Sequence, residues 1–181
     1  MNLPNKLTFI RILMVPIFIV FMYLNFKSSR LVATFIFCLA SFTDYLDGHI
    51  ARKNNLVTNF GKFADPLADK ILVCAALIVL TSIGTIPAIG VIIIEAREFA
   101  VSGLRIIAAS ENITIAASKL GKFKTVSQLI SIILLLSNIE SLYKFGIILF
   151  YFAVLMTIVS GIDYFIKNKK VLDLNNILRC V

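Results

Sequence analysis

Six long apolar stretches, separated by short polar breaks, constrain this chain more than any other feature. They run over Leu7–Leu24, Leu31–Ile50, Phe63–Ile83, Ile86–Ile107, Val126–Ile139 and Tyr143–Ile166, the fifth short and extended backwards through Thr125. A helix rises about 1.5 Å per residue, so about 20 apolar residues cross a hydrocarbon layer about 30 Å thick. Backbone polar groups in lipid must be satisfied within the segment, which favours α-helices. The whole chain is 59% hydrophobic and 15% charged, against roughly 45–50% and 25% in soluble domains. The expected fold is therefore all-α, a polytopic integral membrane protein with six transmembrane helices. With 181 residues, no internal repeat and no low-complexity tract, residues 1–181 read as a single domain.

The placement of charge orients these spans. The net charge is +8. With the N-terminus inside, one side collects Lys6, Arg11, Arg52, Lys53, Lys62, Lys119, Lys122, Lys124, Lys167, Lys169, Lys170 and Arg179, and the other has Lys27, Arg30 and Lys144. The positive-inside rule puts both termini in the cytoplasm. A basic cytoplasmic face suits anionic headgroups and phosphorylated substrates, and no aromatic-interleaved basic patch argues for nucleic acid. The first stretch does not read as a cleaved signal: Arg11 interrupts it, Pro16 lies inside it, and no small-residue cleavage site follows. Cys38, Cys74 and Cys180 are widely spaced and suggest neither disulfides nor a metal site.

Against this apolar background, "FTDYLDGHIARKNNLVTNFGKFADPLADK" places Asp44, Asp47, Asp65 and Asp69 near the inner ends of the second and third spans. An aspartate at the centre of a lipid-facing helix costs about 2.5–3.5 kcal/mol. Four would cost about 10–14 kcal/mol, comparable to the roughly 5–15 kcal/mol net stability of a whole protein. Pairing with nearby arginine or lysine is one account of them; a functional site is the stronger one. Asp44 and Asp47 are at i, i+3 and Asp65 and Asp69 at i, i+4, so each pair shares a helix face. Asp44 lies roughly 12 Å below Arg52 and Asp69 about 10 Å below Lys62 along their helices. The expectation is a four-carboxylate cluster at one depth, open to the cytoplasm. Such a cluster needs protonation or cations. All-oxygen ligands suit Mg²⁺ or Mn²⁺ rather than zinc, and four negative charges match two divalent ions. A two-metal site clamps the attacking and leaving oxygens of a phosphoryl displacement. Gly48 and Gly61 lie four residues from Asp44 and Asp65, placed for close helix packing or for a substrate's approach to the backbone.

The spacing D44-x2-D47-G48-x2-A51-R52-x8-G61-x3-D65-x3-D69 resembles the signature of the CDP-alcohol phosphotransferase family at every specified position. The resemblance implies that the four aspartates are metal ligands and that Asp69 is also the base that deprotonates the acceptor hydroxyl. It implies a CDP-linked alcohol donor, CMP as a product, and nucleotide contacts from Gly48, Ala51, Arg52 and Gly61. Asn5 and Thr8, which open the first span, read as capping residues, or by the resemblance as nucleotide contacts. The family also suggests a homodimer.

"NLPNKLTFIR", "REFAVSGLR" and "SKLGKFKT" are similar to the bacterial phosphatidylglycerophosphate synthases of that family, so the likeness runs to about Thr125. It implies CDP-diacylglycerol as donor, held by the bilayer, sn-glycerol 3-phosphate as acceptor, and a place in the bacterial cytoplasmic membrane. Independently of the family, the fourth span carries Glu95, Arg97, Glu98 and Arg105. At 100° per residue Arg105 falls about 20° from Glu98, and all four lie on one polar arc. These are either glutamate–arginine pairs that orient helices or guanidinium groups that grip an acceptor phosphate, for which the arginine fork is suited. Lys119, Lys122 and Lys124 precede the fifth span, as a solvated charge run or, with Arg97 and Arg105, an anion pocket. The rivals are an acceptor belonging to a cardiolipin, phosphatidylserine or inositol-phosphate enzyme and, from a different class, a divalent-cation transporter using the same carboxylates.

Overall fold

Each apolar stretch becomes one helix. In the computed structural model these are α1 (Leu3–Tyr23), α2 (Ser29–Lys53), α3 (Asn59–Ser82), α4 (Ala88–Ser110), α5 (Lys119–Leu136) and α6 (Glu140–Lys167). The structure describes residues 3–24, 26, 28–53, 59–110, 113, 115 and 118–169; the side chains of 3–7, 44–53, 59–66 and 119 fall outside that set. No strand occurs among the described residues.

The largest departure from expectation is at α5, which begins seven residues before Val126. Ser118 adopts an extended conformation and its hydroxyl accepts a hydrogen bond from the Gly121 N–H at 3.0 Å. That bond satisfies one of the unpaired donors at the helix start. The lysine segment expected to be a loop is thereby the opening of α5, and Lys122 and Lys124 sit at helical spacing. Among the described residues one helix, α6, is long and apolar enough to cross a membrane; α1 and α2 contribute the shorter apolar runs Thr8–Tyr23 and Ser29–Thr43. The apolar stretches of α3 and α4 are interrupted by Asp69, Lys70, Glu95, Arg97, Glu98 and Arg105.

Helix α1 packs on α2 and α3, α5 on α6, and α6 on α4. The main core joins α1, α2 and α3 to α5 and the first half of α6, with the Phe18 and Phe37 rings 5.9 Å apart. Two glycines permit the closest approaches. A Cβ on Gly90 would lie 2.7 Å from Phe150 Cζ, and one on Gly146 would lie 2.8 Å from Leu135 Cδ2. Ser131 Oγ also donates to the Gly146 carbonyl at 2.9 Å, joining α5 to α6. A smaller cluster of Val101, Leu104, Ala108 and Tyr164 joins the later halves of α4 and α6. Gly90 meets Phe150 early in both helices and the smaller cluster forms late in both, so α4 and α6 run in the same direction.

Candidate active site

Two cavities lie side by side among the first half of α3, the later part of α4 and the first half of α5. The larger, about 450 Å³, is lined by Arg97, Arg105 and Lys122, with Lys70, Ser102, Ser118 and Tyr164 among its other walls. The smaller, about 300 Å³, is lined by Asp69, Glu95, Lys124, Ser41 and Gln128. Lys70, Glu98 and Thr125 line both. Glu98 is thus the ionic centre of the shared wall. Its Oε1 accepts from Arg97 Nη1 at 2.9 Å and from Lys124 Nζ at 2.7 Å. A carboxylate bonded to a cation of its own helix and to one on α5 ties α4 to α5 at this wall.

The polar arc expected on α4 divides in two. Glu98 holds Arg97 and Lys124, while Arg105 donates from Nε to Tyr164 Oη at 3.0 Å and lies over that ring, 5.6 Å from its centroid. Among the described residues, Arg105 therefore takes its side-chain partner from α6 rather than from a glutamate of its own helix. Lys70, adjacent to Asp69, donates to Ser102 Oγ, which in turn donates to the Glu98 carbonyl at 2.6 Å. This chain of bonds ties α3 to α4 at the wall between the cavities.

The structure brings together Arg97, Arg105 and Lys122 in one cavity and Asp69 and Lys124 in the other. Lys124 is 2% exposed and bonds the same Glu98 oxygen as Arg97, but it lines the cavity that holds Asp69 rather than the one lined by Arg97, Arg105 and Lys122. Thr8 is buried in α1 and lines neither cavity. Asp44, Asp47, Gly48, Ala51 and Arg52 fall on α2, Gly61 and Asp65 on α3, and Asn5 on α1; their side chains are outside the described residues. Among the described residues no group of three or more histidines, cysteines, aspartates or glutamates is arranged to hold a metal, and of the four expected ligands only Asp69 has a described side chain. Sequence reasoning did not select Lys70, Ser102, Ser118 or Tyr164. Lys70 had a signal, a lysine directly after an intramembrane aspartate. Tyr164 had none, standing in an apolar stretch nearly 60 residues from its partner.

Comparison with known proteins places this geometry in context. The family described as CDP-alcohol phosphatidyltransferase matches residues 1–159. A Bacillus subtilis (strain 168) protein named CDP-diacylglycerol–glycerol-3-phosphate 3-phosphatidyltransferase is 46% identical over 191 residues, covering 97% of this chain and 99% of that protein. A Rickettsia bellii (strain RML369-C) protein of the same name is 42% identical over 174 residues, covering 93% and 96%. One from Salmonella typhimurium (strain LT2) is 38% identical over 172 residues, covering 90% and 92%.

Proposed function

The chain belongs to the CDP-alcohol phosphatidyltransferase family, and from that premise we infer that it transfers the phosphatidyl group of CDP-diacylglycerol to sn-glycerol 3-phosphate. The products are phosphatidylglycerophosphate and CMP. Relatives that carry this activity in their names match nearly the full chain. The single observation on which the site assignment rests is the adjacency of the two cavities. A cationic one, with Arg97, Arg105 and Lys122, shares a wall with one that holds Asp69. A phosphorylated alcohol seated on the cations would present its free hydroxyl towards the aspartate.

The chemistry follows from that placement. Asp69 accepts the proton of the acceptor hydroxyl as its oxygen attacks the β-phosphorus of the donor. The bond from that phosphorus to the bridging oxygen breaks, and CMP leaves with the bridging oxygen. The acceptor phosphate stays on Arg97, Arg105 and Lys122, whose charge-assisted bonds match its oxygens. Lys124, bound to Glu98, holds the wall between the two substrates. The nucleotide would contact Asn5, Gly48, Ala51, Arg52 and Gly61, while Thr8, buried within α1, is left a structural part. A carboxylate lining an open cavity is an oxygen donor of the kind hard divalent cations take. Asp44, Asp47, Asp65 and Asp69 would hold two of them, Mg²⁺ or Mn²⁺. When bound, these neutralise the diphosphate and the departing phosphate.

A membrane setting for all six helices is supported by their outward faces. Phe9 and Ile17 of α1, Phe35 of α2, Ile78 of α3, Phe99 and Ile106 of α4, Ile130 of α5 and Ile148 of α6 are all exposed. Soluble monomers rarely expose apolar patches beyond a few hundred Å². The chain is then one six-span domain over residues 1–181, working as a homodimer in the bacterial cytoplasmic membrane with both termini and the site on the cytoplasmic side. The test is CMP release by purified protein from CDP-diacylglycerol, with glycerol 3-phosphate, serine, inositol phosphate and phosphatidylglycerol compared as acceptors. Glycerol 3-phosphate should be fastest. Faster release with another acceptor overturns the substrate and leaves the reaction class standing. No release with any acceptor, together with metal flux into liposomes, would favour a transporter.

A further inference from the structure

We propose that Tyr164, near the end of α6, is a positioning residue that sets the plane of the Arg105 guanidinium for the acceptor phosphate. The proposal rests on the assignment of Arg105 to that phosphate. The Tyr164 ring is 2% exposed and packs with Val101, Leu104 and Ala108 of α4. A ring enclosed at the density of a protein interior has little freedom, so its hydroxyl has a set place. Arg105 is exposed to the cavity, where an unheld arginine would spread over many rotamers and lose that freedom on binding. Its Nε donates to Tyr164 Oη at 3.0 Å, and the guanidinium carbon stands 5.6 Å from the ring centroid.

The bond uses one of the five N–H groups of the guanidinium and leaves those on Nη1 and Nη2. The end of the fork that remains can meet two phosphate oxygens at once. Three residues earlier, a Cβ on Gly161 would lie 3.2 Å from Arg97 Cγ. Residues three apart on a helix share a face, so one face of α6 makes room for Arg97 and holds Arg105. One face of α6 thus borders both arginines, holding Arg105 directly and leaving space for Arg97, whose guanidinium is held by Glu98 of its own helix.

The experiment is steady-state CMP release by the full-length enzyme in detergent, varying glycerol 3-phosphate at saturating CDP-diacylglycerol and then the reverse. Wild type, Tyr164→Phe, Arg105→Ala and the double variant are compared. Tyr164→Phe keeps the ring and its packing and removes only the hydroxyl. It should raise KM for glycerol 3-phosphate roughly 2- to 12-fold, the range for one hydrogen bond, with KM for CDP-diacylglycerol unchanged. In the Arg105→Ala background the same substitution should do nothing further. Arg105→Lys tests the bond from the other side: it keeps the charge, lacks Nε, and should raise the acceptor KM at least as much as Tyr164→Phe does. An unchanged acceptor KM in Tyr164→Phe, an equal rise in both KM values, or an undiminished effect in the Arg105→Ala background overturns the positioning role alone. An unchanged acceptor KM in Arg105→Ala removes the acceptor-site assignment, and the proposal with it.

Discussion

Asp69 stands one residue from Lys70, and the two side chains serve different neighbours: Asp69 lines the smaller cavity, whereas Lys70 lines both and bonds to Ser102. The assignment of Asp69 as base makes a kinetic prediction. Asp69→Asn keeps the shape and cannot take a proton, so kcat should fall roughly 10²- to 10⁴-fold, the usual worth of a positioned base. Equilibrium binding of CDP-diacylglycerol, followed by fluorescence of a labelled analogue, should change far less. A loss of binding with a normal rate per bound complex would give Asp69 a purely metal-holding part. The aspartate stood out in the sequence because its cost in an apolar helix demands a reason. Tyr164 was not legible, since a tyrosine in an apolar stretch is an ordinary residue until the partner of its hydroxyl is known.

At the scale of elements, the sequence periodicity and the capping residue together account for where helices lie, and the glycines for how closely they approach. The Gly146–Leu135 contact is tight enough that Gly146→Leu must push α5 from α6. Overpacking of this kind costs about 1–3 kcal/mol, so the thermal midpoint in detergent should drop. The KM values should hold, because Gly146 lines neither cavity. Lys124→Met should behave differently. It removes the bond from α5 to Glu98, a charge-assisted hydrogen bond that contributes about 1.5–3 kcal/mol, and leaves Glu98 to Arg97. Stability and turnover should fall together, as read by thermal unfolding and CMP release on the same preparations, and a further Glu98→Gln should lower both again because it leaves Arg97 without its carboxylate. The early start of α5 was readable in principle from Ser118. Its neighbours Lys119, Lys122 and Lys124 masked it, because a run of charge beside an apolar stretch resembles a solvated loop.

For the whole molecule, the four aspartates predict that activity disappears in excess EDTA and returns on adding Mg²⁺ or Mn²⁺ beyond the chelator. Full turnover under chelation would remove the two-metal assignment. The amino-acid sequence by itself determined the helical class and, among the described residues, the number and order of helices. Apolar run length and the cost of unpaired charge in a nonpolar medium are local properties that residue order carries directly. Family membership was also legible there, because the aspartate signature lies in one continuous stretch of sequence, residues 44–69. Only the tertiary structure decided which cation serves which partner. It took Lys124 out of the expected phosphate pocket and gave it to Glu98, gave Arg105 to Tyr164, and made Lys70 common to both cavities. Those pairings join residues 26 and 59 positions apart. Helical periodicity relates residues within a helix, while such distant partners meet only through the tertiary arrangement, in which α6 packs on both α4 and α5.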